Sequence, residues 1–111
     1  MTDLDWVVVA NIDDMPIGEI QEVLVAGGVI AIVRTSSGAY AFDNNCAHMG
    51  VSLSQGRIEG DTVICPLHNW SYDLRAATMG YPSPGRPFTT FPTKILNGQL
   101  LVWPSPKTWL E

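Results

Sequence analysis

The two cysteines and two histidines of this 111-residue chain fall in two short clusters, and no other feature limits the fold so tightly. The first cluster reads Cys46-Ala47-His48. The second reads Cys65-Pro66-Leu67-His68, with residues 49–64 between them. Each supplies one thiolate and one imidazole. Four such donors make a metal site with two nitrogen and two sulfur ligands, so the chain must bring two separate loops face to face. Two metals use that set. One is a single tetrahedral zinc. The other is a [2Fe–2S] cluster in which two histidines replace two cysteines on one iron. Common zinc fingers keep both cysteines in one knuckle and both histidines in the other, whereas both knuckles here are mixed. A dinuclear cluster accounts for the mixing, because each loop gives its Cys to one iron and its His to the other. The blander alternative is a pair of small core cysteines and two structural histidines. Two Cys/His pairs, with none elsewhere, weigh against it.

The flanks add a pattern. Gly50, Leu53, Gly56, Gly60 and Asp61 read G-x-x-L-x-x-G…G-D, and Asn69-Trp70-Ser71-Tyr72-Asp73-Leu74 follow the second knuckle. Together with the knuckles these residues resemble the Rieske iron–sulfur proteins, over about residues 5–103. The resemblance implies an all-β fold: an antiparallel β-sandwich or barrel with a cluster-binding subdomain formed by two loops. It implies one [2Fe–2S] cluster held by Cys46, His48, Cys65 and His68. It also implies a third, proline-containing loop beside the cluster, for which Pro84-Gly85-Arg86-Pro87 is the candidate; an ordinary surface loop is the alternative. High-potential members carry a serine two residues after the second histidine and a tyrosine four residues after it. Here those positions hold Trp70 and Tyr72, which implies a potential toward the low end of the family's range. Two further departures are Ala47, where proline is frequent, and Ala76-Ala77, which replace the usual Thr-Gly.

Composition agrees with a β fold. Apolar residues are 46% and charged residues 15%, too few charges for a disordered chain. Eight prolines and ten glycines signal many turns. Strands are expected at 6–10, 19–26, 29–33, 39–43, 62–64, 71–74 and 99–103, from their β-branched and aromatic content. Residues 89–96 read as a strand broken by Pro92 and therefore at an edge. Asn97-Gly98 is a hairpin turn. Residues 49–59 read as loop with at most one helical turn near 51–55, and residues 75–87 as a long irregular segment. The chain is expected to be a single domain, with 104–111 as a tail beyond it.

The net charge of −5 disfavours nucleic acid and anionic membranes as partners. The N-terminus has no positive segment followed by an apolar one, so no secretory signal is expected, nor any membrane span. A cytoplasmic protein is the expectation. Both histidines are claimed by the metal site, so no Ser/His/Asp set remains, and no glycine-rich phosphate loop precedes a helix. The reading that follows is an electron-transfer component rather than a stand-alone enzyme. The resemblance implies a soluble Rieske-type ferredoxin that carries single electrons from a NAD(P)H-dependent flavin reductase to a partner oxygenase or reductase. The alternative is the small subunit of an assimilatory NAD(P)H nitrite reductase, whose large subunit would be the acceptor. A zinc-stabilised interaction module stays open as a third reading.

Overall fold

A computed structural model of the protein describes residues 6–25, 28–45, 51–66 and 69–103. Its strands are, in chain order, β1 (Val7–Asn11), β2 (Ile20–Val25), β3 (Gly28–Thr35), β4 (Gly38–Asp43), β5 (Arg57–Glu59) and β6 (Thr62–Ile64). They continue as β7 (Ser71–Asp73), β8 (Thr78–Tyr81), β9 (Thr90–Phe91), β10 (Thr93–Leu96) and β11 (Gln99–Val102). All named pairings are antiparallel and build three sheets, ordered β1-β11-β10, β2-β3-β4-β9 and β5-β6-β7-β8. The fold is all-β.

The sheet of β2, β3, β4 and β9 lies in the middle. Successive side chains of a strand point to opposite faces, and both faces of β3 are covered. Ala31 and Val33 enter one core with Phe42, Leu53, Val63, Tyr72 and Phe88. Ile30 and Ile32 enter the other with Met15, Leu100 and Val102. A strand buried on both sides needs a continuous apolar run rather than alternation, which is why 29–33 stands out in the sequence. The first core joins the central sheet to the sheet of β5–β8, where Ile58, Val63, Tyr72 and Met79 form one cross-strand row. Phe88 stacks against Tyr72 at 4.5 Å between ring centroids, and lies 6.0 Å from Phe42.

Turn chemistry sets the registers. Asn97 and Gly98 both have positive φ, 53° and 78°, as a two-residue hairpin turn between Leu96 and Gln99 requires. Pro92 ends one edge strand and begins another. β9 lies at the edge of the central sheet and β10 at the edge of its neighbour, where a missing N–H breaks no ladder.

Two segments depart from the sequence reading. Residues 57–59, expected as loop, form β5, and residues 78–81, expected as irregular, form β8. β5 has one apolar residue, Ile58, and depends on its pairing with β6 through the two-residue turn Gly60-Asp61. β8 contains a glycine and ends at Pro82. Its place follows from β7 across the turn at residues 74–77. In that turn Asp73 Oδ1 accepts from the N–H groups of Arg75 (2.9 Å) and Ala76 (3.1 Å). Ala77 sits at φ 57°, at one of the two positions where the family resemblance expects Thr-Gly. A left-handed conformation costs an L-residue about 1–2 kcal/mol, and glycine's extra unfolded-state freedom offsets about 0.4–1 kcal/mol of that. Ala77→Gly is therefore expected to stabilise the fold by about 0.5–1 kcal/mol, read as a higher urea midpoint.

A second turn contact ties two sheets. Asp61 Oδ1 accepts from Thr35 Oγ1 (2.6 Å) and Ser37 Oγ (2.7 Å). These two hydroxyls hold the Asp61 carboxyl below its usual pKa, the Thr35 bond first. With a folded-state pKa below the unfolded one, the stabilisation is complete above about pH 4 and is lost as pH falls through the folded value. Asp61→Asn keeps an acceptor for both hydroxyls and has nothing to titrate. Its denaturation midpoint should fall less steeply below about pH 4 than the parent's.

Candidate metal centre

The four expected ligands divide unevenly over the structure. Cys65 is among the described residues; Cys46, His48 and His68 lie outside them, as do Gly50 and the 104–111 tail. What the structure supplies is the frame on either side of each of the two loops.

The second loop is a hairpin connection. It spans 65–70 between β6 and β7, and the Cys65 N–H donates to the Trp70 carbonyl (2.8 Å). Cys65 is fully buried in the first core, and Trp70 packs against that core from the side. Trp70, Tyr72 and Leu74 all face the core, at the period of two that a strand imposes. Ser71 lies on the opposite face, opposite Ile64 and Tyr81, with its Oγ against Gly80.

The first loop is closed by different means. Asn45 bridges to Ser52, and the Leu53 N–H donates to the Asn44 carbonyl (2.6 Å). Leu53 then anchors the loop's exit with a fully buried side chain and opens a single 3₁₀ turn, Leu53–Gln55. Gly56 follows, and a Cβ there would overlap the carbonyl oxygen of Ile64, the residue before Cys65. The exit of the first loop thus presses on the entrance of the second, and that approach excludes any side chain. The G-x-x-L-x-x-G…G-D pattern gains a physical account at four of its five positions: Leu53 as anchor, Gly56 as contact, Gly60 at φ 61° as turn, Asp61 as hydroxyl acceptor.

The registers place the loops at one end. Arg57 pairs with Ile64, Ile64 with Ser71, and Ser71 with Tyr81. The first loop enters the β5–β8 sheet at that end, the 65–70 loop turns there, and Pro82-Ser83-Pro84-Gly85 leaves from it. The expected proline loop therefore starts beside the 65–70 connection, with residues 82–87 all exposed.

The donor chemistry fits this frame. A buried thiolate away from water is costly unless a cation lies beside it. Cys65 occupies a fully buried position at the sheet end where both loops converge. What the sequence did not disclose is how the loops are joined. Gly56 was visible as part of a pattern, but its contact with Ile64 was not.

Comparison with known proteins agrees. The Rieske [2Fe-2S] domain model matches residues 5–104. The ferredoxin component of the naphthalene 1,2-dioxygenase/salicylate 5-hydroxylase systems of a Ralstonia species is 32% identical over 98 residues, covering 88% of this chain and 94% of that one. A chain in the complex of reduced oxygenase and oxidised ferredoxin of carbazole 1,9a-dioxygenase superposes with a TM-score of 0.85 at 28% identity, over 96% of this chain and 98% of that one. The putative NADH-dependent nitrite reductase small subunit of Mycobacterium tuberculosis gives a TM-score of 0.77 at 20% identity, over 87% and 92%, a likeness of fold alone. Among the described residues no helix is long and apolar enough to cross a membrane. The chain belongs to the Rieske [2Fe-2S] domain family, whose cofactor is a [2Fe–2S] cluster.

Proposed function

We propose that this protein is a cytoplasmic ferredoxin-type electron carrier. It takes single electrons from a NAD(P)H-dependent flavin reductase and passes them to a partner oxygenase or reductase, and does no substrate chemistry of its own. The observation that carries this reading is the likeness to a dioxygenase ferredoxin component over 94% of that relative's length. Cys46, His48, Cys65 and His68 are the ligands in this reading. When bound, the cluster supplies one-electron chemistry at a potential within about −150 to +300 mV.

The chain's own residues do the rest. Leu53 and Gly56 set the first loop against the second, the Cys65 N–H closes the second loop on the Trp70 carbonyl, and Cys65 is buried within the first core. Trp70 covers the core beneath that hairpin. Tyr81, 57% exposed at the same end of the sheet, offers an apolar contact to a docking partner.

The test is reconstitution. Purified protein is mixed with NADH and a flavin reductase, and reduction is followed by the loss of visible absorbance. An oxygenase and a nitrite reductase large subunit are then offered as alternative acceptors. Reduction followed by turnover of the oxygenase supports the reading. Turnover of the nitrite reductase alone would move the protein to that system, and no reduction by any flavin reductase would defeat the proposed donor.

A further inference from the structure

We propose that Glu22, a strand residue outside both ligand clusters, is the positioning residue of the first ligand loop. The inference rests on the reading that this loop carries Cys46 and His48 as ligands.

Glu22 lies in β2, exposed, in register with Ala31 of β3. One of its oxygens, Oε2, accepts from Ser54 Oγ at 2.6 Å and from Asn44 Nδ2 at 2.8 Å. Asn44 completes the arrangement. Its Oδ1 accepts from the Ser54 N–H at 2.8 Å, and its carbonyl accepts from the Leu53 N–H at 2.6 Å. Asn44 and Ser54 flank the segment 45–53. Glu22, Asn44 and Ser54 therefore close a ring of hydrogen bonds across the base of the loop.

The chemistry suits the task. A carboxylate accepting hydrogen bonds forms stronger bonds than a neutral acceptor. Asn44 is only 6% exposed, so its amide needs partners to offset desolvation. It also precedes Cys46 by two residues, so these bonds fix the chain just before the ligand segment. β2 belongs to the central sheet, whereas the loop feeds the β5–β8 sheet. The loop leaves β4 of that same central sheet, so Glu22 ties its exit, at Ser54, back to the sheet from which it starts. Groups bonded directly to metal ligands typically govern about 10–100-fold in metal affinity; Glu22 acts one contact further out, through Asn44 and Ser54, which places its effect at the low end of that range.

Two substitutions separate positioning from general stability. In Glu22→Gln the amide oxygen takes the place of Oε2 and still accepts both donors. In Glu22→Leu no acceptor remains. Holoprotein of each is prepared anaerobically and challenged with excess chelator, well below its melting temperature, and cluster loss is followed by visible absorbance. Glu22→Leu is expected to lose its cluster about tenfold faster, and Glu22→Gln, which keeps a weaker neutral acceptor, at a rate between the parent's and that of Glu22→Leu. Parent-like release from Glu22→Leu, even with a lower melting temperature, would show a merely structural residue. Release from Glu22→Gln as fast as from Glu22→Leu would also overturn the proposal, since the acceptor is kept. If Glu22→Leu does not fold, Ser54→Ala removes one donor; faster release supports the role and an unchanged rate defeats it. Failure of the ligand reading shows separately, as iron and sulfide retained by Cys46→Ser.

Discussion

Cys65→Ser is expected to purify without iron or acid-labile sulfide, against about two of each per chain in the parent. The argument is one of charge and place. A thiolate neutralises part of the iron charge, and a serine hydroxyl stays neutral at working pH. Cys65 is fully buried at the end of β6, within the first core, so a water acting as a substitute donor would have to enter packed apolar surroundings. The hydroxyl also costs about 1–3 kcal/mol if it finds no hydrogen-bond partner there, so the folded fraction should be measured beside metal content. Cys46→Ser is expected to give the same loss. Iron and sulfide are assayed on anaerobically prepared protein. One zinc and no sulfide in the parent would favour the zinc-stabilised module instead.

The second large effect concerns the potential. The parent's midpoint is expected toward the low end of about −150 to +300 mV. Hydrogen bonds to cluster and ligand sulfurs stabilise the reduced, more negative state and raise the potential. The family resemblance assigns such donors to the positions of Trp70 and Tyr72, and an indole cannot replace the serine hydroxyl. Ser71 does not substitute for it, because it lies on the other face of β7, against Gly80. Trp70→Ser should raise the midpoint. Trp70 also packs on the first core, so that variant loses stability as well, and the reading needs a folded sample. Tyr72→Phe is the cleaner change. The ring stays stacked on Phe88 at 4.5 Å while the hydroxyl goes, and the midpoint should fall. Protein-film voltammetry measures both. A parent midpoint well above 0 mV would mean that other donors reach the sulfurs.

Much of the fold was legible in the sequence because local chemistry decides it. The 29–33 run is apolar on both faces, so it reads as a buried strand, and β3 is doubly covered. Asn97-Gly98 reads as a hairpin because both residues accept positive φ, and both have it. Pro92 reads as an edge signal because it has no N–H to give. The donor set reads as a metal site because thiolate and imidazole recur together in two short clusters and nowhere else in the chain.

Where the sequence reading stopped, the deciding contact was long-range. Arg57-Ile58-Glu59 carries no strand signal of its own. It is a strand because Gly60-Asp61 folds it onto β6 and Ile58 completes a row with Val63, Tyr72 and Met79. The Gly-Asp turn was the available clue. β8 was hidden by Gly80 and Pro82, and takes its conformation from β7. Glu22 stands 32 residues from Ser54, and no motif links them. Sequence alone thus singled out the candidate donors and determined where the chain turns, since donors and φ preferences belong to single residues. Tertiary structure decided which sheet end gathers the loops, that Gly56 presses on Ile64, and that a carboxylate on the central sheet holds the first loop at its base. Those are relations between segments far apart in the chain, and they form only when the two cores pack.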